Sequence, residues 1–173
     1  WLPEMPEEIF DHKYVYEEIG YNLKPIELQA SMGLVQLGKL NEITELRKKN
    51  HTTLKAIFKP YEEYFMLPEA TSGADVNWFA FALTVKDNPF FNRTKFVNFL
   101  EDHKIQTRPY FAGCILLQPA YNGFYSGDIR KRFPNAVKST TNTFFLGTSP
   151  VITQKQLIYI NEVVDKFFSK LIY

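Results

Sequence analysis

Cysteine is almost absent: Cys114 is the only one in 173 residues. A disulfide framework and a cysteine-ligated metal cluster within this chain are thereby excluded. An excess of one charge is absent as well. The formal net charge is +1, so the balance asks for neither nucleic acid nor an acidic membrane surface. No apolar run is long enough to span a bilayer, and the first residues lack the pattern of a secretory signal. A reducing, cytoplasmic setting is the expectation. Asn50-His51-Thr52 and Asn92-Arg93-Thr94 fit the glycosylation pattern and, without such a signal, read as chance matches. A glycine-rich phosphate loop, internal repeats and low-complexity stretches are also missing. The three histidines, His12, His51 and His103, have no metal-ligand spacing. They are expected at the surface or at caps, and no metal site is expected.

What is present is a globular composition, 45% hydrophobic and 23% charged, long enough for one domain with its own core. The aromatic share of 16%, mostly Phe and Tyr, points to large contacts in that core or at an interface.

Residues 1–24 read as an arm and linker, with Trp1–Asp11 acidic and carrying Pro3 and Pro6, and with a loosely alternating segment at His12–Ile19. A long helix is predicted from about Pro25 to Lys59, bent near Lys48–Thr52 and ended by Pro60. Pro25 suits a first helical position, and Glu27 suits the positive end of the helix dipole. Leu28, Met32 and Val35 make one apolar stripe, and Ala30, Leu34, Leu37 and Leu40 make another. A helix apolar on more than one side is expected to be buried on more than one side. The part not covered by this domain would pack on something outside this chain.

Asn77–Val85 is rich in aromatic and β-branched residues and predicts a strand buried on both faces. Thr94–His103 has the spacing of an amphipathic helix. Ile105–Phe111 predicts a second strand, and Pro109 assigns it to an edge. Ala112–Tyr125 is a long irregular segment, of the kind that often carries function. Asp128–Pro134 reads as a basic turn or short helix, and Ser139–Thr143 as a hydroxyl-rich turn. Thr143–Gly147 predicts a third strand, and Thr153 caps a last helix. The order implies an α+β domain over residues 25–173, a long N-terminal helix plus a small, mostly antiparallel sheet flanked by helices.

Two places could carry binding chemistry. Asn22 and Lys24 lie at the entrance of the long helix, where backbone N–H groups favour an anion; an ordinary buried helix with a polar lead-in is the alternative. Thr107-Arg108-Pro109-Tyr110-Phe111-Ala112-Gly113 is the second. A guanidinium at a strand end can hold a diphosphate bidentately while Tyr or Phe covers a ring. The alternative is an Arg108 paired with Glu101 or Asp102. Arg130-Lys131-Arg132 would suit a phosphate but equally makes a solvated face.

Three stretches together resemble a known family. His12-Lys13-Tyr14-Val15-Tyr16 runs on to Gly20-Tyr21-Asn22-Leu23-Lys24, Gln29-Ala30, Gly33-Leu34 and Gln36-Leu37. Asn77-Trp78-Phe79-Ala80-Phe81 is followed by Phe99-Leu100-Glu101 and Ile105-Gln106-Thr107-Arg108. Phe111-Ala112-Gly113 is followed by Gln118-Pro119, and further on by Phe145-Leu146-Gly147, Pro150 and Thr153. These resemble the DegT–DnrJ–StrS group, fold-type I pyridoxal-phosphate enzymes acting on nucleotide sugars. The "TR…FAG…QP" wording is closer to the CDP- or GDP-4-keto-6-deoxyhexose 3-dehydratase branch than to the aminotransferases.

The resemblance implies the small carboxyl-terminal domain of such an enzyme, with pyridoxamine or pyridoxal 5′-phosphate bound mainly by a large domain outside this chain. It implies a homodimer and a nucleotide-linked 4-keto-6-deoxyhexose as substrate, feeding deoxysugars of lipopolysaccharide and O-antigen. An iron–sulfur cluster would belong to upstream cysteines. Carried over by motif, Asn22 reaches the phosphate of the neighbouring subunit's cofactor, with Lys24 beside it. Arg108, Tyr110, Phe111, Gly113 and Gln118 meet the substrate, and no catalytic residue falls within this chain. Cys114 stands where the family usually has asparagine. A sugar aminotransferase of the same family and a non-catalytic nucleotide-sugar or partner-binding module are the alternatives. The residue type at the lysine-or-histidine position before Trp1 would separate them.

Overall fold

The computed structural model describes residues 23–118, 121 and 123–171. The expected arm, the extended segment, His12 and Asn22 lie outside them. The chain divides into two units, Trp1–Gly38 and Lys39–Tyr173.

In the first unit the described structure is helix α1, Glu27–Gly38. It starts two residues after Pro25, not on it. Glu27 occupies the first turn as expected, and the Ile26 N–H donates to Gln29 Oε1 at 3.0 Å. The helix carries both apolar stripes yet buries none of its residues. Leu28, Met32, Leu34, Val35 and Leu37 are all exposed.

The second unit opens with helix α2, Leu40–Phe58. The predicted single helix is therefore two, parted at Lys39 just after Gly38. A glycine at a helix end lowers the cost of leaving the helix. The Lys48–Thr52 stretch does not interrupt α2, and most polar groups there have a partner or a packing role. Lys48 pairs with Asp75 at 2.5 Å. Asn50 Nδ2 donates to the Ser149 carbonyl at 2.8 Å, and the Thr52 and Thr53 hydroxyls donate to carbonyls one turn back. His51 is buried rather than at the surface, its ring stacked 4.0 Å from Trp78. Pro60 falls in a 3-10 turn, Lys59–Tyr61, that ends the helix.

Four antiparallel strands follow in the spatial order β1-β2-β4-β3. They are β1 Phe65–Met66, β2 Ala80–Val85, β3 Thr107–Pro109 and β4 Thr143–Gly147. β1 is too short to leave a periodic signal and was not foreseen. β2 is not buried on both faces. It alternates, with Phe81, Leu83 and Val85 buried and Ala80, Ala82 and Thr84 half-buried. The aromatics that suggested two-sided burial, Trp78 and Phe79, precede the ladder. β3 is the edge strand that Pro109 required.

Helices α3, Arg93–Asp102, and α6, Gln154–Ser169, complete the core. Asn92 caps α3 through its side chain, and His103 caps its other end as expected. Thr153 and Gln156 form a reciprocal capping box at the start of α6. Phe58, Phe65, Phe81, Phe96 and Phe144 are essentially inaccessible; they meet one another, and through Phe65 and Phe96 they meet Phe91, Phe167 and Phe168, edge-on or tilted at ring separations of 4.7–6.3 Å. Such pairs add to the area term.

The expected basic turn is helix α4, Ile129–Arg132, capped by Asp128. The hydroxyl-rich run is not a turn. It closes helix α5, Pro134–Asn142, where Ser139, Thr140 and Thr141 donate to the carbonyls of Asn135, Ala136 and Val137. A hydroxyl that bonds back one turn loses little by being helical.

Candidate functional site

Residues that alternate along a strand also alternate between faces, so the register sorts this sheet into two sides. Ala82, Phe145 and Arg108 lie side by side across β2, β4 and β3, and all three point away from the phenylalanine core. This outer face is small-residued along β2. Its large groups sit at the ends.

The segment after β3 is held in an unusual shape. Phe111 has φ +48 and its N–H donates to the Pro109 carbonyl at 2.7 Å. A bulky residue in the left-handed region is strained, and strain of this kind collects at binding sites. Gly113 has φ +62, and a Cβ there would overlap the Thr140 side chain. Only glycine fits. Thr140 Oγ1 also accepts the Cys114 N–H at 2.6 Å, and Gln118 Nε2 donates to the Ala112 carbonyl at 2.9 Å. α5 is itself anchored. Arg93 Nη1 donates to the Thr140 and Thr143 carbonyls at 2.9 and 3.3 Å, a cation at a helix C-terminus. Asn142 Nδ2 donates to the Val85 carbonyl at 2.9 Å.

The expected substrate residues therefore separate by role. Arg108, Tyr110 and Phe111 are exposed at the end of β3. Gly113 and Gln118 shape the turn that presents them. Tyr110 joins Ala82, Thr84 and Ser139 in lining a cleft of about 200 Å³ on the outer face. Phe111 turns the other way, toward Phe79 and Phe145.

The alternative for Arg108, an ion pair with Glu101 or Asp102, is not made among the described residues. Glu101 instead accepts the Thr107 N–H and hydroxyl, the latter at 2.7 Å. These two bonds, with a smaller contribution from the Arg108 charge, hold its carboxyl below the usual range. The guanidinium keeps its donors for another acceptor.

Four participants escaped sequence reasoning. Thr140 gave no signal, since its run reads as a turn. Phe79 was expected in a strand buried on both faces and is instead exposed, and the outer position of Phe145 follows only from register. Arg47 lies on α2, 32 residues from the Phe79 carbonyl to which its Nη1 donates at 3.1 Å. Lys24 is exposed just before α1. Arg130, Lys131 and Arg132 are exposed or nearly so on α4 and join none of the groups above. No three His, Cys, Asp or Glu among the described residues could hold a metal ion. No described helix is long and apolar enough to cross a membrane.

Comparison with known proteins agrees with this architecture. The lipopolysaccharide biosynthesis protein RfbH of Salmonella typhimurium is 37% identical over 163 residues, covering 92% of this chain and 36% of that protein. The dTDP-4-dehydro-2,6-dideoxy-D-glucose 3-dehydratase of Saccharopolyspora spinosa is 35% identical over 165 residues, covering 93% and 34%. The chain thus spans about a third of the length of these curated relatives. Among solved structures, the E. coli GDP-4-keto-6-deoxy-D-mannose-3-dehydratase with bound hydrated PLP superposes with a TM-score of 0.77. Its identity is 24%, covering 91% of this chain and 40% of that one, which speaks for the fold. Residues 7–166 match the family model described as DegT/DnrJ/EryC1/StrS aminotransferase family, and the chain belongs to that family.

Proposed function

We propose that this chain serves as the carboxyl-terminal part of a nucleotide-sugar 3-dehydratase, an enzyme that removes the C3 hydroxyl of a nucleotide-linked 4-keto-6-deoxyhexose. The observation that carries the reading is the turn after β3. Arg108 stands exposed there without an ion pair among the described residues, beside a strained Phe111, and the turn is braced by Thr140 and Gln118. A rigid guanidinium next to an aromatic face suits a diphosphate joined to a ring. Two of the relatives named above are described as 3-dehydratases, which supports dehydration over amino transfer.

The cofactor of such an enzyme would be pyridoxamine or pyridoxal 5′-phosphate. When bound, it supplies the electron sink for loss of the hydroxyl. The described residues of this chain suit its phosphate end alone. Lys24 lies before α1, while Gln29 already occupies the Ile26 N–H, leaving the N–H groups of Glu27 and Leu28 in the first turn. Asn22 and Lys24 would meet the phosphate across a dimer, and the acid–base groups would come from outside this chain. Arg108 binds and orients the substrate's diphosphate, and Tyr110 covers the neighbouring face of the sheet.

The test is made on the enzyme that carries this chain, purified with the cofactor and given a nucleotide-linked 4-keto-6-deoxyhexose. Proton NMR of the product is expected to show the C3 hydroxyl lost. An amino group gained at C4 from glutamate would favour the aminotransferase reading instead. Arg108→Ala is expected to raise KM by about ten- to a hundredfold with kcat little changed, the signature of uniform binding. A fall in kcat at constant KM would assign Arg108 to the transition state.

A further inference from the structure

The outer face holds a second feature that none of the residues assigned so far accounts for. Phe79 and Phe111 are 64% and 69% exposed. Their rings are 25° from parallel but 6.5 Å apart. The two tightest stacks among the described residues, His51 on Trp78 and Tyr61 on Phe168, are at 4.0 and 3.9 Å, and Tyr64 on Phe168 is at 5.4 Å. Phe79 and Phe111 are therefore near-parallel without close face-to-face contact. Phe145 stands 6.0 Å from one ring and 5.5 Å from the other, closing one side.

Neither ring is placed by burial. Phe111 is held by the strained turn, at a cost the core does not repay because the side chain faces solvent. Phe79 is held by Arg47, which donates to its carbonyl and sets its guanidinium carbon 5.9 Å from the ring centroid. Arg108, paired in register with Phe145, shares its face, and cross-strand neighbours lie about 5 Å apart. The Arg47 guanidinium on Phe79, and an arginine at the strand position beside Phe145, thus accompany two exposed rings that are not closed on each other. The charge favours an anion, and the rings favour a flat, weakly polar group.

We propose that Phe79 and Phe111 form an aromatic clamp for the base of a nucleoside diphosphate, with Phe145 as its floor, Arg108 on the diphosphate and Arg47 as the positioning residue for Phe79. The inference rests on the nucleotide-sugar reading and extends it to residues outside the β3 turn. Stacking of this kind is sequence-tolerant, since every base has a π-face. The clamp therefore selects a base over no base more strongly than one base over another.

The test is a titration of the enzyme that carries this chain with GDP and, separately, with inorganic diphosphate, followed by saturation-transfer NMR on the base protons and by calorimetry. Phe79→Ala is expected to weaken GDP about tenfold, the worth of one base–aromatic stack, and to abolish saturation transfer to the base while leaving diphosphate binding unchanged. Arg108→Gln is expected to weaken both ligands, and Arg47→Gln to act like a milder Phe79→Ala. If Phe79→Ala and Phe111→Ala bind GDP like the parent while Arg108→Gln does not, the clamp is overturned and the nucleotide-sugar reading stands. If neither ligand binds in a saturable way, both are overturned. If Phe79→Ala instead dissolves a dimer seen by analytical ultracentrifugation, the patch is a contact between copies and the clamp is wrong.

Discussion

The two faces of the four-stranded sheet come from the same strands, residue by residue in alternation, and have opposite characters. On the inner face Phe81, Leu83, Phe144 and Leu146 are sealed in the core that α2, α3 and α6 complete, and Phe81 and Phe144 each pack against another buried ring. On the outer face Ala80, Ala82 and Thr84 leave a shallow floor, and the large rings stand apart at its rim. The inner face gains its free energy from contact, so its residues cannot change without cost. On the proposed reading the outer face leaves that energy to a ligand, and one residue of register separates the core from the proposed site.

Four measurements sharpen or break that contrast. The largest effect is expected for Phe96→Ala, which empties a fully buried site facing Phe58, Phe65, Phe144 and Phe167. Truncations of this type cost about 3–5 kcal/mol, and urea denaturation of the chain should show it. A loss under 1 kcal/mol would mean that the inner face is loosely packed.

The second concerns acid. Burial, and then the Lys55 charge, lower the His51 pKa to about 4. The folded state therefore prefers the neutral ring, and its Nε2 has no partner among the described residues. An unfolded histidine titrates near 6.5. The contribution is complete above that pH and is lost as pH falls from about 6.5 toward 4, amounting to roughly 3 kcal/mol over the interval. Melting curves across that range should show the decline, and His51→Phe should flatten it. A parent chain with a flat profile would place a compensating charge beside the ring.

Third, Gly113→Ala forces a side chain into Thr140 at a left-handed backbone position. Its cost is expected at about 1–3 kcal/mol, together with loss of GDP binding because the turn moves. Stability lost with binding intact would separate the turn from recognition. The smallest effect belongs to the outer rim itself. Phe79→Ala and Arg108→Gln are expected to shift the unfolding free energy by no more than about 0.5 kcal/mol, however much they alter ligand affinity. A larger loss for either would make the rim part of the fold.

Much of this was legible along the chain because it depends on neighbours in sequence. Thr153 with Gln156, the helical spacing of α3 and α6, and Pro109 on an edge strand all express local geometry. They fall where patterning puts them. So does the exposed position of Arg108 at a strand end. The misses are of two kinds. Hydroxyl residues can satisfy themselves inside a helix, which hid α5 within a run that resembles a turn. His51 was expected outside because a histidine's burial depends on whether a flat partner such as Trp78 arrives from elsewhere.

By itself, then, the amino-acid order determined the helix caps, the edge strand, the aromatic core and the strand-end arginine, because each is settled within a turn or two of backbone. The tertiary structure decided which side of β2 is buried, that Thr140 locks Gly113, and that Phe79, Phe111 and Phe145 share one rim with Arg47. Those relations join residues 27 to 98 positions apart, and only the register of β2, β4 and β3 and the docking of α2 and α5 bring them within reach.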